Sequence, residues 1–142
     1  MKYNFEIVGR PFGKQRPTFV RRGRFSKVIT PLKTVNYEVQ VKEAFVRECN
    51  PNRLLTGPLG IILIVYHYIP KSTSKVKRQN MIDGLIRPEL TPDWDNIGKV
   101  VCDALNQMAY ADDKQIVDSH VLKYYGERPR VEVEVWEVGG LV

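Results

Sequence analysis

The chain has 142 residues, 43% hydrophobic and 27% charged, with 22 Lys and Arg against 16 Asp and Glu for a net charge of +6. Those proportions exclude a disordered, collagenous or coiled-coil chain, and the length suits one domain over 1–142 that buries a core without covalent staples. Two cysteines, Cys49 and Cys102, make neither a disulfide framework nor a zinc quartet.

The segment from Met1 to Glu6 has no apolar stretch, so no signal peptide is expected. Tyr3, Phe5 and Ile7 alternate with Asn4 and Glu6, which predicts a strand over 3–8. Gly9 to Pro17 is a basic loop punctuated by Gly and Pro. Phe19 to Ile29 reads as a ribbon turning at Arg22-Gly23. Thr30-Pro31 predicts a helix start with Thr30 as N-cap, and the apolar stripe Tyr37, Val41, Ala44, Phe45 carries that helix to about Cys49. Leu59 to Ile69 is rich in Ile, Val and Tyr and predicts a buried strand, too short to span a bilayer as a helix. Residues 70–91 read as a polar loop with a short helical turn over Met81 to Leu85.

Ile97, Val100, Val101, Ala104, Leu105 and Met108 form one unbroken helical stripe, and it predicts the second long helix. Ile116 to Tyr125 and Val131 to Val138 close the chain as two strands joined at Gly126 to Pro129. The order β-α-β-α-β-β predicts a small α+β domain, a mixed sheet with two packed helices. Nothing argues for a membrane, and the expected location is cytoplasmic.

The charge is not evenly spread. Residues 1–33 hold nine basic residues and one acid, a local +8, and the remaining 109 carry −2. A polyanion-facing patch explains that better than a generally basic surface. Lys14, Arg16, Arg21, Arg22 and Arg24 lie in it; a second cluster is Lys71, Lys75, Lys77 and Arg78. Both are candidate nucleic-acid contacts.

Acids gather elsewhere. Asp93-Trp94-Asp95 sets two carboxylates two residues apart before the second long helix, and in extended backbone they would share a side. Asp112-Asp113 follows that helix. Converging carboxylates repel unless a divalent ion lies between them, and oxygen-only ligands suit Mg²⁺ or Mn²⁺. The same residues also suit simpler roles: Asp93 or Asp95 as a helix N-cap, Asp112-Asp113 as turn residues, Lys99 in surface pairs with Asp95 or Asp103.

Three separated elements agree with one family. Asp93-Trp94-Asp95-Asn96 with Lys99, then Asp103-Ala104-Leu105, then Asp112-Asp113-Lys114-Gln115-Ile116 follow a D-x-D-N-x-x-K helix start, a D-A-L helix end and a D-D-x-Q-[IV] loop. This pattern resembles the RusA family of Holliday junction resolvases. Gly13-Lys14-Gln15-Arg16-Pro17 is similar to the basic N-terminal loop of its phage and prophage members, and Lys123 to Gly126 with Pro129 to Glu132 is similar to the closing hairpin.

The resemblance implies a homodimeric, Mg²⁺-dependent endonuclease of recombination and repair that cuts four-way DNA by paired nicks. It implies Asp93, Asp95 and Asp113 as catalytic metal ligands with Asp112 in support, and Lys99 as the essential lysine. A less selective branched-DNA or flap nuclease would use the same residues. A non-catalytic DNA-binding dimer would need only the basic ones.

Overall fold

The computed structural model describes residues 1–139. Strand β1 (Lys2–Val8) opens the chain, followed by β2 (Thr18–Arg22), β3 (Phe25–Ile29), α1 (Leu32–Cys49), β4 (Leu59–Tyr68), α2 (Lys75–Ile82), α3 (Trp94–Leu105), a 3₁₀ turn (Asp113–Gln115), β5 (Ile116–Gly126) and β6 (Arg130–Glu137). Four strands form one mixed sheet in the order β1-β6-β4-β5. The β1–β6 and β4–β6 pairs are antiparallel, and β4–β5 is parallel. The α+β expectation therefore holds.

The period-two pattern of each strand decides which face is covered. Leu59, Ile61, Leu63 and Val65 of β4, Val131, Val133 and Val135 of β6, and Tyr3, Phe5 and Ile7 of β1 are all buried. They meet Val41, Ala44 and Phe45 of α1 and Ile97, Val100, Val101, Ala104 and Leu105 of α3. Each fully buried Leu or Ile contributes about 1.5–3 kcal/mol relative to exposure, and the Phe45 ring adds edge contacts to Tyr3 and Phe5 at 5.2 and 5.4 Å. The opposite face, with Ile62, Ile64, Tyr66 and Trp136, has no helix packed on it among the described residues and stays half-exposed. Trp136 lies flat over Gly60, where any Cβ would strike the indole.

The elements differ from expectation at their edges. Pro31, not Thr30, occupies the N-cap position of α1, without a side-chain cap. The loop of residues 70–91 contains the two-turn helix α2 rather than one turn at Met81. Ser74 caps it, accepting from the Lys77 N–H at 3.4 Å; its mostly polar sequence and single buried residue, Met81, explain why no apolar stripe announced it. Helix α3 begins at Trp94, three residues before its stripe, and stops at Leu105, leaving Met108 in the following turn. The ribbon β2–β3 forms its own two-stranded sheet away from the core. Among the described residues no helix is long and apolar enough to cross a membrane.

Candidate active site

Helix α3 carries the candidate residues, and three other segments are fastened to it. The first is the basic loop. The Lys14 N–H donates to Asn96 O at 3.0 Å, the Lys14 ammonium donates to Asp103, and the Gln15 N–H donates to the buried Thr34 Oγ1 at 3.2 Å. Gly13 makes the approach possible. A Cβ there would stand 2.6 Å from Pro92 Cβ and 3.1 Å from Asn96 Cβ, and real Cβ atoms do not come that close without a shift of the loop.

The second segment precedes the helix. Lys123 of β5 donates to Leu90 O and, at 3.1 Å, to Pro92 O, tying the stretch before Asp93 to the sheet.

The third follows it. Asn106 leaves the helix, Gln107 takes a left-handed φ of 64°, and the buried Tyr110 donates its hydroxyl to Cys102 O at 2.8 Å. Asp112 then caps the 3₁₀ turn: its Oδ1 accepts from the Lys114 N–H at 2.8 Å, while Gln115 Oε1 accepts from the Asp112 N–H at 3.1 Å. That reciprocal capping box commits the Asp112 carboxylate to the turn. It leaves Asp113 facing the helix.

Asp95, Lys99 and Asp113 consequently line one groove of about 280 Å³ between α3 and the β4–β5 strands, with Trp94 also in its wall. Lys99 Nζ is 3.2 Å from Asp103 Oδ1 and 3.7 Å from Asp113 Oδ2. Asp93 is the N-cap residue of α3, exposed and without a side-chain cap bond. It is extended (φ −64°, ψ 150°), but Asp95 is already helical, so the two do not share a side through a common extended backbone, and Asp93 is not among the groove residues.

The carboxylates are not equivalent. Burial raises the Asp113 carboxyl above the usual range, Asp112 and Asp103 add to the rise, and Lys99 only partly opposes it. Burial also works to raise Asp103, but hydrogen bonds from Lys14 and Lys99 outweigh it, and its carboxyl ends below the usual range. Lys99 in turn is held protonated, chiefly by Asp103. Cys102, beneath them, is pushed up to about 11 by burial and remains a thiol. A protonated Lys99, held by Asp103 behind it, and a carboxylate whose charge is only partly compensated thus face each other in the groove.

Among the described residues no three His, Cys, Asp or Glu side chains converge closely enough to hold an ion, so Asp93, Asp95, Asp112 and Asp113 do not form an all-protein cage. The donor set does fit a hard cation of the Mg²⁺ type, which is commonly held by one or two carboxylates and completed by water and substrate phosphate. Two carboxylates, Asp95 and Asp113, line the groove, and Lys99 only partly offsets the cost of burying the charge of Asp113.

The predicted basic residues divide. Lys14 is spent on Asp103. Arg16, Arg21, Arg22 and Arg24 are exposed, as are Lys71, Lys75 and Lys77, and none of these makes an ion pair among the described residues. Arg78 lies 4.0 Å from Glu127. Asp103, Lys123 and Gly13 were not singled out from the sequence as site residues. Each lies in a segment that resembles the family, Gly13 in the basic loop, Asp103 in the D-A-L helix end and Lys123 in the closing hairpin, and the i,i+4 spacing of Asp103 from Lys99 also fits a plain surface pair.

Comparison with known proteins places the chain in a family. A family model described as Endodeoxyribonuclease RusA matches residues 9–136, a span that contains every residue of the groove. The chain is also similar to an uncharacterized protein of Bacillus subtilis strain 168, YqaN, at 39% identity over 136 residues, covering 94% of this chain and 95% of that one. The chain belongs to the RusA endodeoxyribonuclease family.

Proposed function

We propose that the protein is a Mg²⁺-dependent endonuclease that resolves four-way DNA junctions by paired nicks, in recombination and repair. The observation carrying this reading is the groove that gathers Asp95, Lys99 and Asp113 beside a basic loop fastened to the same helix. Asp95 and Asp113, with Asp93 at the helix start, would hold the cation; Mn²⁺ suits the same donors. A divalent ion bound there polarises the scissile phosphate and lowers the pKa of water.

The chain's own residues supply the rest. Lys99, kept protonated by Asp103, offers an ammonium to the phosphate or to the departing oxygen. Lys14, through Asp103, holds the basic loop against the site. Arg16 and the ribbon arginines continue as phosphate contacts, as do Lys71, Lys75, Lys77 and Arg78. Lys75, Lys77 and Arg78 lie in the first turn and a half of α2, where the helix dipole disfavours cations, so an external anion is their natural partner.

A junction has two-fold symmetry, and two coordinated cuts call for two sites related by a C₂ axis. The helix-free sheet face supports a homodimer: Ile62, Ile64 and Leu122 lie side by side across β4 and β5 with Tyr66 and Tyr124 next in register. The deciding experiment compares cleavage of a fixed four-way junction, a flap and a linear duplex, with and without Mg²⁺, by wild type and Asp113→Asn. Symmetric junction cuts that need both Mg²⁺ and Asp113 are expected. Flap-only cutting would replace this reading with a general branched-DNA nuclease, and DNA binding without any cleavage would replace it with a non-catalytic dimer.

A further inference from the structure

We propose that the β2–β3 ribbon is a wedge, with Phe25 at its tip stacking on base pairs that lack a neighbour at the centre of branched DNA. The inference rests on the nuclease reading above and adds a structure-selective contact to it. The ribbon pairs Thr18 with Ile29, Phe19 with Val28, Val20 with Lys27, Arg21 with Ser26 and Arg22 with Phe25. Gly23, at φ +60°, and Arg24 form the two-residue turn, the arrangement that suits right-handed strand twist when Gly comes first. Arg22 and Phe25 are therefore the last pair before the tip.

Among the described residues nothing covers this ribbon. Phe25 is 81% exposed and Phe19 73%, on opposite faces, with Val28 at 55%. Between residues 18 and 29 stand Arg21, Arg22, Arg24 and Lys27, and no acid. An isolated two-stranded ribbon is marginally stable in water, and bare phenylalanines on it are a standing cost unless a partner takes them. The charge complementarity chooses the partner: four cations fit phosphates, and aromatic faces fit bases, which stack on any aromatic ring regardless of sequence.

Its position chooses the kind of DNA. Pro17, at the ribbon's foot, is three residues from Lys14, which is fastened to α3 beside the groove. From Lys14 to the turn at Gly23 the chain can extend at most about 30 Å, roughly nine base-pair steps at about 3.4 Å each. The tip thus lies within one turn of DNA from the cleavage groove. In continuous duplex an inserted ring must separate two stacked pairs. At a branch point the terminal pairs of each arm already have a face open, so the ring gains stacking without first breaking any.

The test uses a four-way junction with 2-aminopurine at the branch point, in EDTA, alongside a continuous duplex of matching sequence. Wild type should quench the 2-aminopurine fluorescence on binding, because the ring stacks on the open face of the base. Phe25→Ala should lose that quenching and bind the junction about 10-fold more weakly or worse, with duplex affinity within about 2-fold of wild type by the same reasoning. Phe25→Trp should retain both signals. Circular dichroism should show every variant folded, since Phe25 touches no core residue.

A Phe25→Ala variant with wild-type fluorescence and junction affinity overturns the wedge, as does an equal loss on junction and duplex. If wild type still cuts the junction with Mg²⁺ in that case, the nuclease reading survives and only the wedge falls. If wild type neither binds nor cuts branched DNA, both fall together.

Discussion

Lys99 Nζ lies 3.2 Å from Asp103 Oδ1, one turn further along the same helix, and Asp103 receives the Lys14 ammonium on its other oxygen. An acid with two lysines on it does more than form a surface pair. It holds the lysine that faces the groove and the loop that brings the basic segment there. Its half-buried position strengthens both contacts relative to an exposed pair.

Asp103→Asn should therefore cut the rate of DNA cleavage by about 10- to 100-fold through misplacement alone, although Asp103 is not among the groove-lining residues. It should also move the alkaline limb of the pH–rate profile downward, because Asp103 is the chief reason that the Lys99 pKa stands above its ordinary value. Asp103→Glu should recover part of the rate. A variant that loses stability but keeps the wild-type pH profile would reduce Asp103 to a structural role.

Asp113 makes the opposite prediction for stability. Its folded-state pKa is raised, so between its unfolded and folded values the native state binds more protons than the unfolded state, and stability falls as pH rises through that window. At neutral pH the ionised carboxylate is thus a destabilising group. Asp113→Asn should melt a few degrees higher than wild type by calorimetry while cleavage drops by 10²-fold or more, an order-of-magnitude expectation for removing a group that stabilises developing charge. Mg²⁺ should raise the melting temperature of wild type more than that of the variant. A variant that melts lower would contradict this electrostatic account.

Glu137 works on the acid side. Arg53 grips it with two hydrogen bonds of 3.0 and 3.1 Å, and Thr56 donates its N–H at 2.9 Å and its hydroxyl at 3.1 Å. The Arg53 hydrogen bond, followed by that from the Thr56 backbone, lowers the Glu137 carboxyl well below its usual range. Stability from this contact is complete above the ordinary glutamate pKa and is lost as pH falls toward the depressed one. Glu137→Gln should lower the melting temperature at pH 7 and flatten its decline below about pH 4.3, the unperturbed glutamate value; an unchanged acid slope would sink the idea.

Gly60 offers a packing test without charge. Trp136 covers it on the open sheet face, leaving no space for a side chain. Gly60→Ala should destabilise the protein by about 1–3 kcal/mol, the usual range for overpacking, measured by urea denaturation with an unchanged m-value. If that face is the dimer contact, the variant should also shift sedimentation toward monomer.

The parts of the fold legible in sequence were those with a period. Tyr3, Phe5 and Ile7 marked β1, and the stripe from Ile97 to Leu105 marked α3, because alternate and three-to-four spacing translate directly into a buried face. Helix α2 had no such stripe and was readable only from Ser74 as a cap. The acidic cluster was legible in sequence, its geometry only in part. Spacing pointed to Asp93, Asp95 and the Asp112-Asp113 pair, and the resemblance favoured Asp113 of the last two; extended geometry could not be assumed for a pair straddling a helix start, and the Asp112 carboxylate also caps the turn. The Lys14–Asp103 contact joins residues 89 positions apart, and no local pattern reports such a pairing.

Gly13 opposite Pro92 has a bearing on how this protein diverges. The two positions touch across the junction of the basic loop and α3, so position 13 is not free to change alone. A relative with a side chain at position 13 must either carry glycine, which alone lacks a Cβ, at position 92 or let the loop stand off, and in the second case the lysine–aspartate contact behind it goes too. Inheritance of the DNA-facing arm and of the cutting helix is therefore linked at one pair of small residues, and an arm transplanted from one relative to another should function only when its residue 92 travels with it.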